Sequence, residues 1–163
     1  MSVNRYDSHV LLLPEDDAIR QIVNGFLLDS AVRLNRVQVM TPSRGWKRVL
    51  EDFLSNYATN MARYDRMYVV LLIDLDGDMD RLEYVSNQIP EEYAPRVFVL
   101  GIASESEDLK RKLALSFQEI GTRLAEDCRR NKNDFWGHDL LQGNMPEISR
   151  LRKQVTPILF ERD

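Results

Sequence analysis

A second cysteine is missing. Cys128 is the one cysteine among 163 residues, so no internal disulfide can form, and with two histidines the chain offers no zinc-ligand spacing. Long apolar runs are missing too: none approaches the roughly 18 residues that a membrane span needs, and the opening Met1 to Asp7 lacks a signal-peptide core. The expectation is a soluble protein of the reducing cytoplasm, without membrane contact. Glycine-rich segments are absent as well. Gly45, Gly77, Gly101 and Gly137 stand alone, which excludes the phosphate-cradling loop of an independent nucleoside triphosphatase. There is no repeat, linker or low-complexity stretch.

What is present is the composition of one folded domain, with 44% hydrophobic and 29% charged residues. The net charge of -4 conceals an asymmetry. Residues 1–108 carry 18 acidic and 11 basic side chains, whereas residues 109–163 carry 8 and 11. The late basic residues, among them Lys110, Arg111, Lys112, Arg150, Arg152 and Lys153, can face phosphate or simply solvate helices. Arg123, Arg129, Arg130 and Lys132 near Trp136 combine charge with an aromatic ring, as single-strand binders do.

His9 to Leu13 is a short apolar run that reads as a strand buried on both faces, and Ile19, Ile22, Val23, Phe26 and Leu27 follow at helical spacing. Arg36 to Met40 alternates like a strand, and a helix carrying Trp46, Val49, Leu50, Phe53, Leu54, Tyr57 and Met61 comes next. Met67 to Ile73, seven apolar residues without a break, is the expected central strand. A short helix near Arg81 to Gln88 leads to a fourth strand, Arg96 to Ile102. Leu109, Leu113, Phe117, Ile120, Leu124 and Cys128 predict one amphipathic helix of five or six turns. Val155 to Phe160 is a candidate last strand despite Pro157. The pattern predicts a single α/β domain over 1–163, with a mostly parallel central sheet flanked by helices on both faces.

In such sheets ligands bind beyond the carboxyl ends of the strands, and two acidic clusters fall there. Asp74, Asp76, Asp78 and Asp80 follow the central strand; Glu15, Asp16 and Asp17 follow the first. Crowded carboxylates raise one another's pKa unless a cation offsets the charge, and Mg²⁺ (or Mn²⁺) takes oxygen ligands while keeping several waters. Asp74 and Asp76 point the same way in an extended stretch. Asp78 and Asp80 are equally well explained as loop or cap residues. An EF-hand calcium loop is excluded because its twelfth position is Val85. His138 beside Asp139 forms a weaker candidate for proton transfer, and Cys128 lies on the apolar stripe as a core residue.

Glu15 after the first strand, with Asp74 and Asp76 after the third, resembles the TOPRIM domain of topoisomerases, primases and the nucleases associated with phage defence and RNA maturation. The resemblance covers residues 8 to 102, with 103–163 as a helical extension. It implies Mg²⁺-dependent cleavage of DNA or RNA, with Glu15, Asp74 and Asp76 catalytic and Glu15, Asp16, Asp74, Asp76 and Asp78 available to metal. Glu105, Glu107 and Asp108 would complete a second metal site, or else form an acidic first turn. The acidic surface suggests a larger protein partner, and homo-oligomerisation stays open. The segment Val10 to Arg20 also resembles the start of a response-regulator receiver domain, in which Asp16 and Asp17 would hold Mg²⁺, Asp74 would accept phosphate and Ser104 would supply the hydroxyl; the lysine after the last strand is missing. A non-catalytic interaction module is the third reading.

Overall fold

Every one of the four apolar runs becomes a strand: β1 (His9–Pro14), β2 (Val37–Val39), β3 (Met67–Asp74) and β4 (Val97–Ile102). The computed structural model describes residues 3–161; positions 1, 2, 162 and 163 of the expected domain lie outside them. All pairings are parallel, in the order β2-β1-β3-β4. Register lines Leu11, Val69 and Val97 across one face and Leu12, Val70 and Phe98 across the other. Because successive side chains alternate between faces, two apolar layers result, and this is why the strands read as unbroken runs.

The helices α1 (Asp17–Phe26), α2 (Trp46–Asp52), α3 (Ala58–Arg63), α4 (Asp80–Asn87), α5 (Ser106–Leu113), α6 (Phe117–Arg130), α7 (Met145–Gln154) and α8 (Thr156–Leu159) divide between those faces. One core joins Leu12, Val70 and Phe98 to Ile19, Val23, Leu109, Ile120, Leu124 and Ile148 from α1 and α5 to α7, and to Val155 between α7 and α8. The other joins Leu11, Val69 and Val97 to Val49, Phe53, Met61 and Val85, from α2 to α4. A π-helical turn, Phe53–Tyr57, links α2 to α3 without breaking the run. On the first face α1 and α6 cross almost backbone to backbone. A Cβ on Gly121 would lie 1.9 Å from the Ile22 carbonyl oxygen, and one on Gly25 would lie 2.0 Å from that of Gln118.

Two expected elements differ. The stripe from Leu109 to Cys128 is not one helix: α5 ends at Ala114, whose φ is +53°, and α6 restarts from Ser116. Ser116 accepts from the Glu119 N–H and Glu119 reaches back to the Ser116 N–H, a capping box whose start signal overrides the continuous apolar spacing. The candidate last strand is instead α8, a single helical turn, and Phe160 touches Val32 through one isolated antiparallel bridge. Pro157 sits in the first turn of α8, where its missing N–H costs nothing, whereas a strand would have lost a ladder bond there.

With no fifth strand among the described residues, the free edge of β4 is covered by side chains. Asn144 accepts from the Gly101 N–H at 2.8 Å and donates to the Gly101 carbonyl at 2.7 Å. Glu147 accepts from Val99 N–H, and Arg150 donates to the Val97 carbonyl. These groups take the place of a neighbouring strand at Val97, Val99 and Gly101. No helix among the described residues is long and apolar enough to cross a membrane.

Candidate functional site

At the carboxyl end of the sheet, β1 and β3 lie side by side and aim their last residues at one another. Pro14 pairs with Leu72, and the next residue, Glu15, donates its N–H to the Leu72 carbonyl. Its side chain then turns across to β3, where Glu15 Oε2 accepts the Asp74 backbone N–H at 2.6 Å. The carboxylate thus takes the place of the next ladder acceptor and is held against the strand end bearing Asp74. Burial, more than its neighbours, raises the Glu15 pKa; the bond to the Asp74 amide opposes this, Asp16 and Asp76 add to it, and Arg81 opposes it.

Asp74 is the buried member of the cluster, at 7% exposure. Its carboxyl is pushed up to about 7, first by burial, then by the negative charges of Asp16 and Glu15, with a smaller contribution from Asp76. The Ser106 hydroxyl donates to Asp74 Oδ1 at 3.2 Å and works in the opposite direction. No ion pair reaches this carboxyl group among the described residues.

Asp76 lies beyond a reversal of the chain. Leu75 is fully buried and packs against Gly101, where a Cβ would come within 2.7 Å of the leucine side chain. Asp76 and Gly77 then adopt φ values of +50° and +81°, and their N–H groups donate to the Ser104 and Ala103 carbonyls. An aspartate tolerates the left-handed region better than most residues, and Gly77 tolerates it freely. Asp76 is exposed and is not alone. Arg81 Nη1 lies 2.9 Å from Asp76 Oδ2 and also donates to the Asp74 carbonyl oxygen at 2.9 Å. The guanidinium is 4.5 Å from the centre of the Trp46 ring, and its side chain is 12% exposed.

The structure therefore brings Glu15, Asp16, Asp74 and Asp76 together. Asp16 does double duty, since its Oδ1 caps α1 by accepting from Ile19 N–H at 2.9 Å. Asp17 points elsewhere, exposed and bonded to Arg20 and Gln21. Asp78 and Asp80 are exposed, and Asp78 accepts the Asp80 N–H in the turn before α4. Glu105, Glu107 and Asp108 cap and open α5, with Asp108 paired to Arg111 and its pKa lowered mainly by hydrogen bonds.

Three residues of the site escaped the sequence reading. Ser106 was hidden in a helix start, Arg81 looked like an ordinary helix residue, and Trp46 looked like core. The signal available for Arg81 was its place seven residues after Asp74, a lone cation behind four acids.

The aromatic and histidine candidates late in the chain are engaged in bonds within their own segment. Trp136 is buried, and its indole N–H donates to the Leu124 carbonyl, so it offers no face to a base. His138 Nδ1 accepts the Leu140 N–H inside its own loop. Cys128 is buried, with burial raising its thiol to about 11, which suits a core residue and not a nucleophile.

Among the described residues no three His, Cys, Asp or Glu side chains converge closely enough to cage a metal ion. The donor chemistry nonetheless fits a hard divalent ion that keeps most of its waters, for which one or two carboxylates suffice. Asp74, without a basic partner and flanked by Asp16, is the best placed ligand; Asp76 would have to share with Arg81. Comparison of the chain with protein-family models, with curated proteins and with solved structures returned no match.

Proposed function

We propose that this domain hydrolyses phosphodiester bonds in nucleic acid with the help of Mg²⁺ or Mn²⁺, as its resemblance to TOPRIM nucleases implies. The observation that carries this reading is the meeting of Glu15 with Asp74 across neighbouring strand ends, with Asp17 turned away. A glutamate facing the aspartate is the TOPRIM-like arrangement; a receiver-like pocket would use Asp16 and Asp17 together.

Asp74 would hold the ion together with Asp16 or Asp76, in the water-rich coordination that Mg²⁺ favours. A divalent ion held there would supply charge neutralisation for the phosphate and would acidify a bound water. Glu15, its pKa raised by burial, is suited to hold or release the proton of the attacking water or of the leaving oxygen. Arg81 sets the Asp76 side chain and the Asp74 carbonyl, and so fixes the turn from which both aspartates project. A cytoplasmic location is part of the same proposal, and a larger nucleic-acid-binding partner would complement the acidic surface.

One observation favours a second reading. The order β2-β1-β3-β4 is that of a flavodoxin-like sheet without its fifth strand, and receivers share that order, so a receiver-like or purely interacting module with an acidic pocket is the alternative. Purified protein incubated with single- and double-stranded DNA and RNA decides between them. Cleavage that needs Mg²⁺ or Mn²⁺, disappears in Asp74→Asn and Glu15→Gln and survives in Asp17→Asn is the expected result. Labelling of Asp74 by acetyl phosphate without cleavage of any substrate would establish the alternative.

A further inference from the structure

Beside the acids, on the loop that enters α2, lies a patch of the opposite charge. Arg44, Lys47 and Arg48 are all exposed, and no acidic residue stands between Thr41 and Arg48. Among the described residues none of the three makes an ion pair. They are three of only 11 basic residues in residues 1–108, which carry 18 acids. The loop is tied to the site: Ser43 N–H donates to the Pro14 carbonyl, and Arg44 N–H donates to the Glu15 carbonyl at 2.7 Å. Arg44 holds a φ of +64°, an uncommon state for a side-chain-bearing residue, immediately before Gly45 at +144°.

An aromatic group adjoins these cations. Trp46 packs edge-to-face with Tyr84 of α4 at 5.8 Å, with Lys47 Nζ 5.5 Å and Arg81 4.5 Å from the indole centre. Trp46 is partly buried, but Tyr84 is 51% exposed and Met79, at the start of the same helix, is 48% exposed. Unpaired cations next to an exposed, braced ring are what single-stranded nucleic acid binds: phosphates meet the charges and a base stacks on the ring. Duplex would present phosphates but no free base face to Tyr84.

We propose that Arg44, Lys47, Arg48 and Tyr84 form a binding track for single-stranded nucleic acid that leads the strand to the Glu15 and Asp74 site. The inference rests on the nuclease reading for the direction of the track, but binding itself needs no metal. Arg44, Lys47 and Arg48 hold consecutive phosphates, and Tyr84, fixed by Trp46, stacks one base.

The test is anisotropy of short labelled single-stranded DNA and RNA of one sequence, in EDTA and at low salt. Three phosphate contacts predict a slope of log affinity against log salt of about -2, which is about 20-fold weaker binding on raising salt from 50 to 200 mM. The triple variant Arg44→Ser, Lys47→Ser, Arg48→Ser flattens that slope. Tyr84→Ala weakens binding by about 5-fold or more, Tyr84→Phe retains it, and all these exposed positions leave Tm near that of the parent. Asp74→Asn binds at least as well as the parent. No binding at low salt, or parental binding by both the triple variant and Tyr84→Ala, overturns the track. Metal-dependent cleavage with patch-independent binding would remove the track alone, and patch-dependent binding without cleavage under any metal would remove the nuclease alone.

Discussion

Asp74 concentrates the chemistry of this chain in one side chain. Its carboxyl titrates near 7 because it is buried beside Asp16 and Glu15, whereas an unfolded aspartate titrates near 3.9. The folded chain therefore holds this proton more tightly than the unfolded chain. The stability it contributes is full below about pH 4 and is lost as pH rises through about 7. Asp74→Asn removes the charge while its amide oxygen still accepts from Ser106. In the absence of divalent ions this variant should melt higher than the parent at pH 8, by about 1 to 2 kcal/mol once solvent screening is allowed for, or about 2 to 8 °C. Near pH 4 the two should coincide. Thermal melts across that range read the difference directly, and a pH-independent offset would mean that the Asp74 carboxyl is not perturbed. Arg81 is the complementary residue. Arg81→Gln removes the positive charge that lowers the Glu15 pKa, so the acidic limb of any pH–activity profile governed by Glu15 should move to higher pH.

Among the elements, the strands were legible and the joints were not. Runs such as Met67 to Ile73 could be read because a sheet covered on both faces demands apolar residues at every position. The acids at the ends of β1 and β3 could be read for the same reason, as polarity arriving abruptly where burial stops. That Glu15, rather than Asp17, faces Asp74 was not legible. It follows from a one-residue choice, with Glu15 still in register with β3 and Asp16 already spent as a helix cap. The break at Ala114 and the turn of α8 were decided by capping and by Pro157, local signals that outweighed the apolar period. The covering of β4 by Asn144 lay furthest from view, since it pairs residues 43 positions apart. Asn144→Leu should strand the buried N–H and C=O of Gly101 and destabilise the domain by about 2 to 4 kcal/mol in urea melts. Gly121→Ala, which forces a Cβ onto the α1 backbone, should cost about 3 kcal/mol, and Gly143→Ala, whose Cβ would meet only the Met79 methyl end, should cost much less. Equal effects at positions 121 and 143 would contradict the close crossing of α1 and α6.

On the scale of the whole molecule, an acidic chain of net charge -4 gathers Glu15, Asp16, Asp74 and Asp76 at one end of its sheet, and the one ion pair these four make among the described residues is that of Asp76 with Arg81. The fold thus carries unrelieved repulsion at the place where a parallel sheet presents ligands. Anything that binds the folded state alone stabilises it by an amount set by its concentration and affinity. For an ion bound with a dissociation constant of about 1 mM, about 10 mM Mg²⁺ or Mn²⁺ stabilises the fold by about 1.4 kcal/mol, or about 3 to 6 °C in Tm. Because the ion must displace the proton that Asp74 holds up to about 7, the shift should be large at pH 8 and small at pH 5.5. Asp74→Asn should abolish it, while Asp17→Asn, whose carboxylate faces Arg20 and Gln21, should leave it intact. Scanning calorimetry at the two pH values with and without each ion measures all of these together. A shift of equal size at both pH values, or one retained in Asp74→Asn, would place the ion elsewhere on the acidic surface and remove the metal from the proposed chemistry of this site.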